Sequence, residues 1–246
     1  MTKVFRASVL VALTGTFLCS TNAFAKETKF EINDPTGRDT VTFTSNAPIE
    51  VINGHTRKIT GSVTMDDSLN LAKQPIAAEM DVDLASIDTG IPLRNEHMRE
   101  KFLETKKFPT ATFKLKSIVS GAGVLKDGQK LHLKATGDFT LHGKTVQKVV
   151  PIDVTYFKQR PMTDEKYKNC DLIQISSTFP VPFKDHDIQR PEIVFQKLAD
   201  TVFLTVNVTA HRAANAAAST TSATKTVSKS ETKPATKPAT KPATTK

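Results

Sequence analysis

The stretch IAAEMDVDLASIDTGIPLRNEHMRE, from Ile76 to Glu100, shows where this chain changes from one kind of structure to another. Its first half alternates apolar and mostly polar residues, which is typical of a β-strand with one buried face. The apolar face carries Ile76, Ala78, Met80, Val82 and Leu84. We therefore predict a strand over residues 76–87 that ends at the turn-forming tripeptide Asp88-Thr89-Gly90.

The second half of the stretch predicts a short helix. Pro92 prevents continued strand pairing, and Asn95 is a suitable N-cap. An acidic first turn and the pair Lys106-Lys107 after the last turn suit the helix dipole. We expect the helix to end before Phe108-Pro109 and a strand to follow over residues 110–117.

The tripeptide Asp88-Thr89-Gly90 also occurs in aspartic proteases, whose chemistry needs two carboxylates that share a proton. One copy per chain would require a symmetric dimer, and Ile91 stands where such enzymes usually carry Ala or Ser. The sequence also has no Gly-rich phosphate loop and no nucleophile elbow. We therefore predict no catalytic residues, no cofactor and no enzymatic activity.

The same alternation recurs along the chain and predicts an all-β fold. Further alternating stretches lie at residues 41–43, 59–63, 113–115, 131–141, 150–154, 173–179 and 202–208. Asp127-Gly128 predicts a type I′ hairpin, and His142-Gly143-Lys144 predicts a second tight turn. Because no crossover helices separate the strands, neighbouring strands should be antiparallel.

A meander of about eight strands removes its exposed edges by closing into a barrel. Such a barrel has an interior that is either filled by its own side chains or wide enough for one small ligand. The alternation leaves both options open. We predict that these inward-facing residues line the interior: Met80, Val82, Leu84, Phe113, Leu115, Leu133, Phe139, Ile152, Val154, Ile175 and Phe179.

Both ends of the chain differ from this body. Residues 1–25 have the basic start, the apolar run and the Ala-Phe-Ala end of a cleaved signal peptide, which predicts export to the periplasm or beyond. No later apolar run reaches the length of about 20 residues that a transmembrane helix needs. Cleavage would leave Cys170 as the one cysteine, which excludes an internal disulfide and favours a structural role.

The C-terminal residues 213–246 repeat Lys-Pro-Ala-Thr and predict a disordered tail. The whole chain carries a net charge of +9; loss of the signal leaves +7, and the tail, with six Lys and one Glu, accounts for +5. The body over residues 26–212 is thus nearly neutral, which argues against nucleic-acid binding. The tail is either a spacer or a weak contact with an anionic envelope surface.

Three segments carry a specific resemblance: VDLASIDTGIPLRNEHMREKFLETKKFPTATFKLKSI, TGDFTLHGKTVQKVVPIDVTYF and FPVPFKDHDIQRPEIVFQKLADTVFLTVNVT. With their Ser-x-Asp-Thr-Gly, Arg-Asn-x-His-Met-Arg and Phe-Pro-x-x-x-Phe patterns, they resemble the YceI-like family of bacterial secreted lipid-binding proteins. The resemblance covers most of residues 59–208. It implies a lipocalin-like extended antiparallel barrel, a periplasmic or extracellular location, no known catalytic residues, and a tunnel for polyisoprenoids or fatty-acid-like amphiphiles.

This chain departs from the family pattern in two regions. Residues 33–55 replace the Asp-x-x-His-Ser opening that the family commonly shows, and the loop over residues 160–171 is longer than usual. The first strands of the family line part of the tunnel, so the ligand is not determined by the resemblance.

Arg94, His97 and Arg99 match the family motif and are candidates for holding a polar head group. The alternative, which we favour, is that they staple the helix to neighbouring strands. The six histidines show no metal-ligand spacing, and His186 lies in a predicted polar turn, Lys-Asp-His-Asp, so we predict no metal site.

Two functions remain. The chain is either a carrier, store or scavenger of a long-chain amphiphile, or a non-catalytic envelope stress or structural protein with a solid barrel and a surface-binding basic tail. The oligomeric state, a dimer included, is left open by the sequence.

Overall fold

The computed structural model describes residues 26–34, 36–159, 170–191 and 196–213. The predicted signal peptide, most of the loop over residues 160–171 and the tail from residue 214 onward lie outside these ranges. The strands are β1 (Glu27–Ile32), β2 (Thr40–Asn46), β3 (Val51–Thr56), β4 (Ile59–Asp66), β5 (Ala77–Asp83), β6 (Thr110–Ser120), β7 (Lys130–Leu141), β8 (Lys144–Phe157), β9 (Leu172–Pro182) and β10 (Thr201–Arg212). Helix α1 (Pro92–His97) continues into a π-helix at Met98–Phe102, and 3-10 turns lie at Leu84–Ser86 and Phe183–His186.

The ten strands close into one antiparallel barrel in the order β1-β4-β5-β6-β7-β8-β9-β10, with β10 returning to β1. The strand β2 continues the position of β1 along β10: β1 pairs with Ala210–Arg212 and β2 with Val202–Asn207. The strand β3 continues β4 in the same way, pairing with β2 on one side and reaching Asp88 through a bridge at His55. The predicted all-β, eight-stranded antiparallel barrel with a short helix is thus confirmed.

The direction of the strands defines two ends of the barrel. The β2–β3, β5–β6, β7–β8 and β9–β10 connections lie at one end, which we call the upper end. The β4–β5, β6–β7 and β8–β9 connections and the start of β1 lie at the other, which we call the base. Within the described part of the chain, no helix is long and apolar enough to cross a membrane.

The β7–β8 turn is the tight hairpin that the sequence predicts. His142 and Gly143 both have positive φ, at 52° and 73°, as a type I′ turn requires. A Cβ on Gly143 would lie 2.3 Å from the ring of Phe108, so the close approach of this ring also requires glycine.

The hairpin predicted at Asp127-Gly128 is wrong. Residues 121–129 form a longer connection at the base, in which Val124 bridges to Asn70 and Leu125 is buried. Gly128 does have a positive φ of 72°, but its N–H donates to the carbonyl of Tyr156 on β8. Gly128 therefore does lie in a turn, as its residue type suggests. The connection is longer than two residues because it also brings Leu125 into the core.

The strand predicted over residues 76–87 is also shorter than expected. It ends at Asp83, whose carboxylate accepts the N–H of Ala85 at 2.9 Å and caps the 3-10 turn at Leu84–Ser86. An aspartate at a cap competes with the sheet for the backbone, which explains the early end. The alternation nevertheless continues, because Leu84 is buried.

Apolar packing and an ion network close the base. Phe30 and Met65 are almost fully buried, and the guanidinium of Arg212 lies 5.4 Å from the ring centroid of Phe30. Arg212 also forms an ion pair with Asp171 at 2.9 Å. Burial, followed by a hydrogen bond with Asp171, raises the pKa of Tyr156 to about 12. The base therefore combines buried aromatic packing with paired charges, although the Nε of Arg212 is buried without a hydrogen-bond partner.

Candidate functional site

The barrel encloses a cavity of about 570 Å³ that runs from the upper end towards the base. Ligand-binding pockets typically measure roughly 300–1,000 Å³. Its walls are almost entirely apolar and come from all the strand positions of the barrel, from the α1 region and from the β9–β10 connection. The interior is therefore open, which answers the question that the alternation of residues could not.

All eleven residues that the sequence predicts to face inward line this cavity. Among them, Val82 and Leu133 are each 6% exposed and lie on β5 and β7, the two strands that flank β6. Their contact with a ligand stays a prediction, because the structure shows the wall and not an occupant.

Glycine shapes part of this wall. A Cβ on Gly137 of β7 would lie 2.3 Å from the ring of Phe113 on the neighbouring strand β6. The ring therefore occupies the space over the glycine, and this packing positions one of the predicted lining residues.

Sequence reasoning missed other lining residues. They include Val41 and Phe43 of β2, Met98 and Phe102 of the π-helix, and Phe183 and Ile188 of the β9–β10 connection. The alternation of Val41 and Phe43 was a usable signal, as was the spacing of Met98 and Phe102. Phe183 and Ile188 lie outside any alternating strand, so only the three-dimensional structure places them.

The Asp88-Thr89-Gly90 corner holds the start of the helix. The amide oxygen of Asn95 accepts the N–H of Thr89 at 2.9 Å and its hydroxyl at 2.7 Å, while the amide nitrogen donates to Asp88 at 2.6 Å. The N-cap predicted at Asn95 is wrong, because the helix begins at Pro92, whose missing N–H costs nothing there. The predicted end of the helix at Phe108-Pro109 is also wrong, because the π-helix that continues α1 ends at Phe102.

Asp88 has the environment of a structural carboxylate. Its oxygen accepts the N–H of Gly90 at 2.8 Å, and this bond, followed by that from Asn95, lowers the pKa of Asp88. A proton-sharing catalytic pair requires a carboxyl group that stays protonated, and a lowered pKa opposes that. The geometry therefore gives this corner a positioning role.

Arg94 connects the helix to the β2–β3 connection. One terminal nitrogen contacts Glu50 at 2.7 Å, and the other two nitrogens donate to the hydroxyl and the carbonyl of Thr89, both at 3.0 Å. Arg94 and Glu50 both line the upper part of the cavity. All three guanidinium nitrogens thus have protein partners, which is the stapling arrangement that we favoured.

The other two head-group candidates differ from each other. His97 lines the cavity beside Arg94, whereas Arg99 lies outside the lining and donates to the carbonyl of Ala85 at 3.5 Å. The structure therefore brings two of the three candidates to the cavity. Their role towards a head group stays a prediction.

His186 lies in the polar turn that the sequence predicts, but its side chain is buried. It ends the 3-10 turn Phe183–His186 and is fully buried against the ring of Phe139. Over the described ranges, no group of three or more His, Cys, Asp or Glu side chains could hold a metal ion. Burial raises the pKa of the Cys170 thiol, which disfavours the reactive thiolate.

Several solved structures share this fold. A polyisoprenoid-binding domain from Saccharophagus degradans, described as implicated in plant cell wall breakdown, has a TM-score of 0.56 and 15% identity, covering 75% of this chain and 98% of that one. BcnA from Burkholderia cenocepacia has a TM-score of 0.53 and 21% identity, covering 72% and 99%. The YceI protein of Campylobacter jejuni has a TM-score of 0.50 and 19% identity, covering 68% and 88%.

No curated protein sequence matches this chain. The model of the YceI-like domain matches residues 30–210, which span the barrel from β1 to β10. This match covers well over half of the chain. It agrees with the barrel fold and with the motif that begins at Asp88-Thr89-Gly90. The chain therefore belongs to the YceI-like domain family.

Proposed function

We propose that this protein binds a long-chain amphiphile, of polyisoprenoid or fatty-acid type, in the barrel cavity and acts as its carrier, store or scavenger in the periplasm. One observation carries the proposal: an open cavity of about 570 Å³ whose walls are almost entirely apolar. Each Å² of apolar surface removed from water contributes about 25 cal/mol, so a hydrocarbon chain gains most of its binding free energy by burial.

The similar domain from Saccharophagus degradans supports the class of ligand, since it is described as polyisoprenoid-binding. The charged lining residues add a second argument. Arg94 and Glu50 pair with each other. Glu79 pairs with Lys114, while Lys197 lies in the β9–β10 connection at the upper end. A charged group deep in the cavity would therefore lack a counter-ion. We infer that the chain enters the cavity and that its polar end stays near Arg94 and His97.

The function is binding rather than catalysis in this proposal. The alternative of a structural barrel with a solid core fits less well, because the interior is open. The periplasmic setting depends on the predicted signal peptide over residues 1–25.

Fluorescence titration tests the binding directly. N-phenyl-1-naphthylamine, an uncharged probe that brightens in apolar surroundings, should bind the wild-type protein and be displaced by a polyprenol. Val82→Trp should abolish binding, because Val82 is buried in the cavity wall and the larger ring would fill the space.

Val119→Trp is the matched control, since Val119 is 59% exposed on β6 and does not line the cavity. Circular dichroism should show the same β-structure in both variants. Equal probe binding by wild type and a folded Val82→Trp protein, or no binding by the wild type, would reject the proposed site.

A further inference from the structure

Strands β8 and β9 pair over only part of their length. The ladder joins Asp153–Phe157 to Leu172–Ser176, near the base. On their other edges, β8 pairs with β7 along nearly its whole length and β9 pairs with β10 throughout. The upper segments, residues 144–152 of β8 and 177–182 of β9, therefore face each other without a backbone ladder. We call this region the β8–β9 seam.

The seam separates the cavity from the outside. Val150 and Ile152 on the β8 side and Phe179 and Val181 on the β9 side all line the cavity. Only one hydrogen bond between the two upper segments is seen among the described residues, from the hydroxyl of Ser177 to the carbonyl of Pro151 at 2.6 Å. Separation of these segments would therefore open the cavity sideways.

The 3-10 turn at Phe183–His186 closes the top of the seam. The ring nitrogen Nδ1 of His186 lies 3.1 Å from the carbonyl oxygen of Lys144 on β8. Two ion pairs flank this bond, Lys148 with Asp185 at 3.2 Å and Lys144 with Asp187 at 2.7 Å. The turn thus connects the end of β9 to the unpaired edge of β8, and we call these three contacts the latch.

His186 is held in its neutral form. A carbonyl oxygen can only accept, so Nδ1 carries the hydrogen and donates it to Lys144. The other nitrogen, Nε2, is buried and has no hydrogen-bond partner in the structure. A proton added at Nε2 would place a positive charge in a fully buried position.

The neighbouring charges modify this effect without removing it. Lys148 and Lys144 approach from β8, Asp185 and Asp187 from the turn itself, and His142 donates from the β7–β8 turn to the carbonyl of His186 at 3.0 Å. His142 in turn lies 3.8 Å from Glu104 of the β5–β6 connection. From β7, the apolar ring of Phe139 packs against His186, and the backbone of Leu141 raises the pKa of His186 against the larger effect of burial.

Burial is the main cause that lowers the pKa of His186 below its ordinary value of 6.5. Because the closed latch favours the neutral ring, the stabilisation is fully present above about pH 6.5 and is lost as the pH falls through the lowered pKa.

We propose that the β8–β9 seam is a side opening of the cavity, that the latch keeps it closed at neutral pH, and that protonation of His186 opens it in acid. The role in releasing a lipid rests on the proposed function, whereas the opening of the seam is a property of the barrel itself.

Release kinetics of N-phenyl-1-naphthylamine from the full-length protein test the proposal. The probe should leave about ten-fold faster at about pH 5 than at about pH 7.5. His186→Gln should abolish this difference, because its amide can donate to Lys144 but cannot take up a proton. A wild-type release rate that does not change with pH would overturn the proposal.

Lys148→Met provides a second variant. It removes the ion pair with Asp185, so probe release should become faster at neutral pH. Lys116→Met is the control, since it breaks an ion pair with Asp138 at 3.0 Å between β6 and β7, away from the seam and outside the cavity lining. Equal rates for the two variants would contradict the latch.

Amide hydrogen exchange separates the latch from the proposed function. Corrected for intrinsic exchange, the amides of the turn over residues 183–188 should lose protection in acid, while residues 177–182 and 201–206, which pair with each other in the β9–β10 ladder, keep theirs. If no probe binds at any pH, the proposed function fails and this measurement alone decides the latch. Unchanged protection in acid would overturn the latch even if the probe binds.

Discussion

The base and the upper end of the barrel are closed by different interactions. At the base, Phe30 and Met65 are almost fully buried and Arg212 pairs with Asp171 at 2.9 Å. At the upper end, single polar contacts join elements that the sheet leaves apart, such as Arg94 to Glu50 at 2.7 Å. Buried aromatic packing is worth several kcal/mol per residue, whereas a partly exposed ion pair is worth about 0–1 kcal/mol. The base thus supplies stability, and the upper end is the part that can open.

The largest effect should come from the base. Phe30→Ala removes a fully buried ring and should lower the free energy of unfolding by about 3–5 kcal/mol. Because Phe30 does not line the cavity, probe affinity in the folded protein should change little. Urea unfolding measures the first quantity, and Phe203→Ala, at an exposed position of β10, is the control. A loss as small as that of the control would mean that the base is not the stabilising end.

An intermediate effect on stability should come from Asp39, which lies in the connection between β1 and β2. The carboxylate of Asp39 accepts the N–H of Thr209 at 2.7 Å, and its other oxygen is buried without a partner. Burial raises the pKa of Asp39 to about 6. The folded state then binds more protons than the unfolded state between about pH 4 and pH 6, so this group lowers stability as the pH rises through that window.

Asp39→Asn should therefore remove roughly 1–3 kcal/mol of pH dependence between these limits. The measurement is the difference in unfolding free energy between variant and wild type across the pH range, which cancels the other carboxyl groups. A difference that does not change with pH would show that Asp39 titrates normally.

The smallest effect on stability should come from the upper end. Glu50→Gln breaks the pair with Arg94 and should cost at most about 1 kcal/mol of stability. The same change should speed probe release about two- to five-fold, because the pair joins two elements beside the cavity. Glu100→Gln, which disturbs an exposed pair with Lys106, is the control. Equal release rates from the two variants would show that the Arg94–Glu50 contact does not control how the probe leaves the cavity.

The two ends also differ in how far the sequence predicts them. The unbroken alternation over residues 131–141 matches β7 (Lys130–Leu141) closely. Successive side chains of a strand point to opposite faces, so the inward-facing apolar residues recur at every second position. β3 was missed, since its buried face carries Ile52, Gly54 and Thr56 rather than a run of large apolar residues. Strand existence was therefore predictable where the buried face is uniformly apolar.

The contacts of the upper end depend on residues far apart in the chain. His186 sits among polar neighbours in the sequence and is buried only because its turn folds onto Lys144. Asn95 resembles a helix cap locally, yet its amide bonds back to Asp88 and Thr89. The open interior could not be predicted either, because alternation tells which side chains point inward and not whether opposite walls meet.

Native mass spectrometry of the full-length protein, purified without detergent, tests most directly whether the barrel interior holds a chain molecule. We expect a species heavier than the polypeptide by one chain molecule for the wild type and for Val119→Trp, and the bare polypeptide for Leu133→Trp, because the new indole ring would enter the cavity. The bare polypeptide mass for all three proteins, or the same bound mass in a folded Leu133→Trp protein, would contradict it.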